Sequence, residues 1–135
     1  MRVMAIDLGD ARTGLALSDP TGSLTGRAWT ETEWNMERLA ETVVQTAREQ
    51  GAGRIVLGYP RNMDGSLGPR AEKSEAFRGL LEKLTEIPVI LWDERRTTLD
   101  AQNILHDVGK RGKKKKQVVD AVAASLILEG YLRSL

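Results

Sequence analysis

The first part of the chain has short apolar runs that end in polar residues, which predicts β-strands whose side chains alternate between two faces. In the first strand, over 2–8, Val3, Ala5 and Asp7 would lie on one face and Met4, Ile6 and Leu8 on the other. Residues 13–18 and roughly 24–30 are predicted to form two more strands. Turn-forming residues, Asp19-Pro20 and Thr21-Gly22, separate the second predicted strand from the third. Because connections this short cannot join parallel strands, the pattern predicts an antiparallel meander.

A helical period replaces the alternation after residue 34. Asn35 is the predicted N-cap, with Trp34 and Leu39 placed to form a hydrophobic staple around it. Apolar residues then recur every three or four positions until Gly51 ends the pattern. The first helix is therefore predicted between Asn35 and Gly51.

The remaining segments alternate between strand and helix. They are a short strand over 54–60, an amphipathic helix containing Phe77 and Leu84, a strand over 88–92, a helix from about Thr97 to Gly109, and a last helix over 118–132. The last helix is apolar on nearly every side, which predicts that it is buried. Right-handed crossovers place the fourth and fifth strands beside the first. The prediction is an α/β domain with a five-stranded mixed sheet, an antiparallel meander plus parallel strands, flanked by helices.

Composition narrows the class of protein. A chain of 135 residues fits one domain over 1–135, and a content of 41% hydrophobic and 29% charged residues is ordinary for a globular protein. The absence of cysteine excludes disulfides and thiolate metal sites and suits the cytoplasm. No apolar run approaches the roughly 20 residues that a membrane span needs, so no membrane association is expected.

Acidic residues stand where apolar segments end. Asp7 ends the first strand, and Asp93 and Glu94 end the fifth. The carboxyl ends of these strands share one edge of the predicted sheet, and strand alternation lets only one acid of the pair face the same way as Asp7. Asp120 is the only ionisable residue between Gln117 and Leu128, and a buried charge needs a compensating partner.

Three oxygen ligands, with no cysteine and a single histidine in the chain, favour Mg²⁺ or Mn²⁺ over zinc. Two such ions about 4 Å apart would activate water and stabilise the leaving oxygen in phosphodiester hydrolysis. Each acid also has a structural interpretation. Asp7 would cap a turn, Asp93 and Glu94 would pair with arginines, and Asp120 would be the N3 residue of the last helix.

Charge is concentrated in one segment. The stretch "GKRGKKKKQ" over 109–117 holds six basic residues and no acid, whereas the rest of the chain has 14 basic and 19 acidic residues. Such a run is either a solvated surface loop or a contact for a phosphate backbone. The sequence leaves both interpretations open.

Four ordered motifs resemble the YqgF/RuvX family of Holliday-junction resolvase-like and pre-16S ribosomal RNA nucleases. They are "DLGDARTG" over 7–14, "GYPRNMDGSLGPRA" over 58–71, "DERRTT" over 93–98 and "KKKKQVVDAVAASLIL" over 113–128. The resemblance implies a ribonuclease H-like fold, a divalent-metal site and hydrolysis of structured nucleic acid. It implies Asp7, Glu94 and Asp120 as catalytic residues and metal ligands, with Glu94 preferred over Asp93.

Basic and polar residues near these motifs are candidate contacts for nucleic acid. Arg12 would hold a phosphate or pair with an acid, and Arg95 would neutralise developing phosphate charge or form a structural ion pair. The candidate set is Arg12, Arg61, Asn62, Arg70, Arg95, Lys113, Lys114, Lys115 and Lys116.

The sequence leaves several functions open. The leading hypothesis is a metal-dependent endonuclease that processes the 5′ end of pre-16S ribosomal RNA, and the alternative substrate is a branched DNA junction. A second hypothesis is an actin-like phosphotransferase, because such enzymes also begin with D-x-G-x-x-x-x-G, but they need a second domain to enclose the nucleotide. A third hypothesis, from a different class of protein, is a factor that binds nucleic acid without cleaving it. Association into a homodimer is also left open.

Overall fold

The computed structural model describes residues 1–60, 64–94 and 112–135, and over 112–118 it describes the backbone alone. The strands in these ranges are β1 Arg2–Asp7, β2 Arg12–Ser18, β3 Thr25–Thr32, β4 Ala52–Tyr59 and β5 Val89–Asp93. The helices are α1 Met36–Glu49, α2 Pro69–Leu84 and α3 Gly112–Arg133. The helix predicted from Thr97 to Gly109 lies outside the described residues. None of the helices described is long and apolar enough to cross a membrane.

The five strands form one mixed sheet in the order β3-β2-β1-β4-β5. β1 pairs antiparallel with β2, and β2 pairs antiparallel with β3, whereas β1, β4 and β5 run parallel. The predicted meander is confirmed, and so is the parallel placement of the fourth strand beside the first, whereas the fifth strand lies beside the fourth and not beside the first. The carboxyl ends of β1, β4 and β5 therefore share one edge of the sheet.

Each face of the sheet is covered by helices. Met4 and Ile6 of β1 pack with buried residues of α1 and α2. Val3 and Ala5, which alternate with them, pack on the other face with Ala124 and Leu128 of α3. The result is a three-layer domain in which β1 is central and buried on both faces.

The start of α1 follows the sequence prediction in one respect and departs from it in another. Asn35 is the N-cap, and its side-chain oxygen accepts a hydrogen bond from the backbone N–H of Arg38 at 3.0 Å. The predicted staple is wrong, because Trp34 is 75% exposed whereas Leu39 is 2% exposed. The helix start is stabilised by its polar cap instead.

The start of α3 differs from the prediction. The helix begins at Gly112 rather than at 118, so Lys113–Lys116 lie in its first turns and not in a loop. Lysine is a good helix former, and no proline interrupts the run that leads into the apolar segment. Asp120 is consequently well inside the helix, and its interpretation as an N3 residue is wrong.

Over 119–133, where the side chains of α3 are described, full burial is confined to one face. The buried residues are Ala124, Ile127, Leu128 and Tyr131, and the other residues up to Leu132 are partly buried. The predicted burial is therefore complete on the face toward the sheet and partial on the other sides. The spacing of three, one and three residues is that of one helical face.

Candidate active site

Asp7 lies at the end of β1, on the face of the sheet that α3 covers. Val3 and Ala5 of the same strand pack in the cluster formed with α3. Since side chains alternate along a strand, Asp7 lies on that same face. Its side chain is only partly exposed, so its charge is partly removed from water.

Glu94 follows β5 directly, and its carboxyl group shares a hydrogen bond with that of Asp7. Because β4 lies between β1 and β5, the Glu94 side chain has to pass over β4 to make this contact. It does so at Gly58, where a Cβ atom would lie 2.6 Å from Glu94 Oε1 and 2.7 Å from Ile127 Cδ1. A glycine on the intervening strand therefore provides the space that brings the two carboxyl groups together.

Asp120 approaches the same place from α3. Gly14 pairs with Asp7 across the β1–β2 ladder, and a Cβ atom at Gly14 would overlap the backbone carbonyl oxygen of Asp120. Gly14 thus allows α3 to lie directly on the sheet beside Asp7. The Asp120 side chain, 24% exposed, pairs with Arg12, whose Nε lies 3.3 Å from Asp120 Oδ2.

The environment raises the pKa of each of these three carboxyl groups. Burial is the main reason that the pKa of Asp7 rises to about 8, and the charge and hydrogen bond of Glu94 and the charge of Asp120 add to it. Burial also raises the pKa of Glu94, although the hydrogen bond from Asp7 and the charge of Arg70 oppose it. Burial raises the pKa of Asp120, against the effect of Arg12. Burial therefore favours a proton held by the Asp7–Glu94 pair.

The donor chemistry of the acids suits a hard divalent cation. Carboxylate oxygens are the ligands that Mg²⁺ and Mn²⁺ prefer, and a cation would offset the burial of the Asp7 charge and its repulsion from Glu94, which together raise the pKa of Asp7. Across residues 1–60, 64–94 and 112–135, however, no three acidic or histidine side chains are gathered closely enough to hold an ion together. Asp7 and Glu94 form the assembled pair, and Asp120 is a neighbour engaged by Arg12.

The candidate nucleic-acid contacts fall into three groups. Arg12 lies at the acids, and Arg70, exposed near the start of α2, is near enough to lower the pKa of both Asp7 and Glu94. The backbone of Lys113–Lys116 forms the first turns of α3. The residues outside the described ranges are Arg61, Asn62 and Arg95.

One contact at this edge has no counterpart in the sequence predictions. Lys73 of α2 donates to the carboxylate of Asp10 at 2.7 Å and to the carbonyl oxygen of Gly9 at 3.2 Å. It thereby ties α2 to the turn that joins β1 and β2, directly after Asp7. Only the tertiary arrangement identifies this contact, since its partners lie 63 and 64 positions away in the chain.

Comparison with known proteins adds family information to this geometry. Residues 1–134 match the family model described as RuvX, Holliday junction resolvase. A Pelotomaculum thermopropionicum protein named "Putative pre-16S rRNA nuclease" is 44% identical over 135 residues, which cover 99% of this chain and 88% of that protein. A Bacillus subtilis protein of the same name is 40% identical over 141 residues, which cover 100% of this chain and 99% of that protein.

Solved structures show the same fold. Thermus thermophilus RuvC in complex with a Holliday junction substrate matches with a TM-score of 0.65 at 13% identity, covering 99% of this chain and 96% of that one. At this identity the likeness concerns the fold alone. The predicted ribonuclease H-like fold is confirmed.

Proposed function

The chain belongs to the RuvX family, and from this premise we propose that it is a divalent-metal-dependent endonuclease that processes the 5′ end of pre-16S ribosomal RNA. The observation that carries the proposal is the Asp7–Glu94 carboxyl pair, assembled over Gly58 at the edge of the sheet where three parallel strands end. The names of the relatives that are 40–44% identical support RNA as the substrate. The RuvC likeness, at 13% identity, supports the fold and not the substrate.

Asp7 and Glu94 would hold the metal, with Asp120 as the third acid. Bound divalent ions supply an activated water and stabilise the leaving oxygen in phosphodiester hydrolysis. The chain's own contribution is to fix the carboxylates. Gly58 gives Glu94 access to Asp7, and Gly14 lets α3 carry Asp120 close to the sheet. Arg12 compensates the charge of Asp120 and is positioned to meet a phosphate at the same place.

Basic residues around the acids would hold the substrate backbone. Arg12 and Arg70 lie beside the carboxyl groups, and Lys113–Lys116 precede Asp120 on the same helix by one to two turns. Each neutralised phosphate adds to affinity in a salt-dependent and sequence-independent way. We assign the same role to Arg61, Asn62 and Arg95, on sequence grounds. In this proposal a single domain over 1–135 carries the activity, which takes place in the cytoplasm. Association into a homodimer is a separate prediction, which sedimentation analysis would test.

A cleavage assay with purified protein tests the proposal. End-labelled precursor RNA, a four-way DNA junction and a linear duplex are each incubated with Mg²⁺, Mn²⁺ or EDTA, with Asp7→Asn as the inactive control. We expect cleavage of the RNA in either metal, no cleavage in EDTA and none by the variant.

Other outcomes assign other functions. Cleavage of the junction alone would make the protein a resolvase for branched DNA, which is the description that the family model carries. Tight binding of RNA without cleavage in either metal would make it a binding factor. In both cases the proposed RNA-processing activity is wrong.

A further inference from the structure

Trp34 is unusual among the aromatic residues of this protein. The chain has three Trp, two Tyr and one Phe, all within the described ranges. Trp34 is 75% exposed, whereas Trp92 is 8% exposed and Phe77 is fully buried. Trp29 is partly buried and packs against the core, with its Nε1 donating to Glu31 at 3.1 Å. Trp34 therefore offers the largest exposed ring in the part of the chain that the structure describes.

The backbone holds Trp34 at the edge of the sheet that carries the acids. Thr32, the last residue of β3, pairs with Arg12, and the N–H of Glu33 donates to the carbonyl oxygen of Ala11 at 2.9 Å. Trp34 comes next and is followed at once by Asn35, the N-cap of α1. The backbone at Trp34 is thus held between the end of a strand and the start of a helix.

The sheet register gives the distance from Trp34 to Asp7. Neighbouring strands lie about 4.8 Å apart and an extended chain rises about 3.3 Å per residue. Asp7 pairs with Gly14, and Gly14 pairs with Thr30, so Trp34 lies two strands across and four residues further along, roughly 16 Å from Asp7 along the backbone. This separation is that of two or three nucleotides in an extended strand.

The surroundings of Trp34 favour a single stacked base over a protein partner. A protein interface needs a continuous patch of about 800 Å² on each side. The neighbours of Trp34 along the chain are polar, namely Thr32, Glu33 and Asn35, and Thr32 and Asn35 are exposed. An isolated exposed ring is enough for base stacking, since one ring engages one base. Isolated exposed apolar residues are common, and what distinguishes Trp34 is a backbone held at the edge of the sheet that carries the acids.

We propose that Trp34 stacks on an unpaired base of the nucleic acid whose backbone lies at Asp7 and Glu94, so that the strand is single-stranded two or three nucleotides from the cleaved bond. The proposal rests on the proposed nuclease function and specifies the form of its substrate. It assigns Trp34 to substrate binding and not to the chemistry of cleavage.

Binding measurements in EDTA, where no cleavage is expected, test the proposal. A short labelled single-stranded RNA and the matching duplex are titrated with wild type, Trp34→Ala and Trp34→Phe, and Trp29→Phe is the matched control. Trp34→Ala should weaken single-strand binding by about 5- to 150-fold, the loss expected for one stacked base, with little change for duplex. Trp34→Phe should retain most of the affinity. Because Trp34 is exposed, none of its variants should lower the melting temperature.

Intrinsic fluorescence gives a second readout in the same titration. Single-stranded RNA should quench the emission of wild type and of Trp29→Phe, and the quenching should disappear in Trp34→Phe. Quenching that survives in Trp34→Phe, or unchanged single-strand affinity in Trp34→Ala, overturns the proposal. A shift of the sedimentation coefficient in Trp34→Ala, with RNA affinity unchanged, would overturn it in favour of contact with a second copy of the chain.

Different results would contradict the role of Trp34 and the nuclease function. If wild type cleaves RNA and Trp34→Ala behaves identically, the assignment of Trp34 is wrong and the nuclease function stands. If wild type neither binds nor cleaves nucleic acid, both are wrong.

Discussion

Replacing Gly58 with alanine tests how Glu94 reaches Asp7. The added methyl carbon would lie 2.6 Å from Glu94 Oε1 and 2.7 Å from Ile127 Cδ1, against an ordinary contact of about 3.5 Å. The carboxylate must therefore move by roughly 1 Å. A displacement of this size at a catalytic group costs about 10²-fold in rate, so single-turnover cleavage of precursor RNA should fall by about that factor.

Stability should respond much less than activity. The two atoms that meet the methyl group are the ends of flexible side chains, and the backbone at Gly58 does not have a positive φ. Local crowding should lower the free energy of unfolding by about 1–2 kcal/mol at most. Thermal melts and circular dichroism measure this effect separately from the cleavage rate.

A matched glycine provides the control. Gly79 lies within α2, and nothing lies within 4 Å of a Cβ atom placed there. Gly79→Ala should stabilise the helix by about 1 kcal/mol and leave cleavage unchanged. Wild-type cleavage by Gly58→Ala would refute the reasoning, and so would a loss of activity that merely follows a loss of folded protein.

Three further predictions concern backbone approach, pH and salt. In Gly14→Ala the added methyl group would overlap the backbone of α3 rather than the end of a flexible side chain. The free energy of unfolding, measured in denaturant titrations, should therefore fall by about 3 kcal/mol or more. A variant as stable as wild type would contradict the close approach of α3 to the sheet. The pKa of Asp7 is raised from 3.8 to about 8, so without metal the folded protein keeps a proton that the unfolded chain loses between these pH values. The free energy of unfolding should therefore fall as pH rises from about 4 to about 8, by up to about 1.4 kcal/mol per pH unit. Asp7→Asn should remove most of this slope in thermal melts, and a slope equal to that of wild type would contradict the assignment. Changing Lys113–Lys116 to alanine should make the slope of log affinity against log salt shallower by about two to three units. The melting temperature should not fall, because lysines at the start of a helix oppose its dipole. An unchanged slope would show that these lysines do not contact the nucleic acid.

The order of strands along the chain was predictable from the sequence because local signals mark each boundary. Pro20 and Gly22 limit the turn of the meander, Asn35 caps α1, and Gly51 ends it. The start of α3 was not predictable in the same way. A run of lysines reads equally as a solvated loop or as a helical turn, since lysine is favourable in both.

The residues that form the site were easier to predict from the sequence than the contacts that bring them together. Asp7 stands out as a carboxylate at the end of a buried strand, and Asp120 stands out in an apolar helix. Whether Asp93, the last residue of β5, or Glu94, the next residue, meets Asp7 depends on the face of the sheet on which Trp92 lies. Val89, Leu91 and Trp92 are all apolar, so the sequence pattern does not determine that face, whereas the structure places Trp92 against α3.

Two contacts of the site depend on elements far apart in the chain. The space that Gly58 leaves for Glu94 and the pairing of Arg12 with Asp120 join residues separated by 36 and 108 positions. Motif glycines indicate a special backbone position, but they do not reveal which side chain occupies the space above them.

In the proposed function, the carboxyl pair of Asp7 and Glu94 is the centre of a nuclease. The most direct test is the single-turnover cleavage rate of precursor RNA in Mg²⁺ for Glu94→Gln, with Asp93→Asn as the matched variant on the opposite face of β5. We predict that Glu94→Gln lowers the rate by about 10³-fold or more at nearly unchanged RNA affinity, and that Asp93→Asn has a much smaller effect. A Glu94→Gln protein that cleaves at the wild-type rate, or a loss that follows Asp93→Asn instead, would contradict the account.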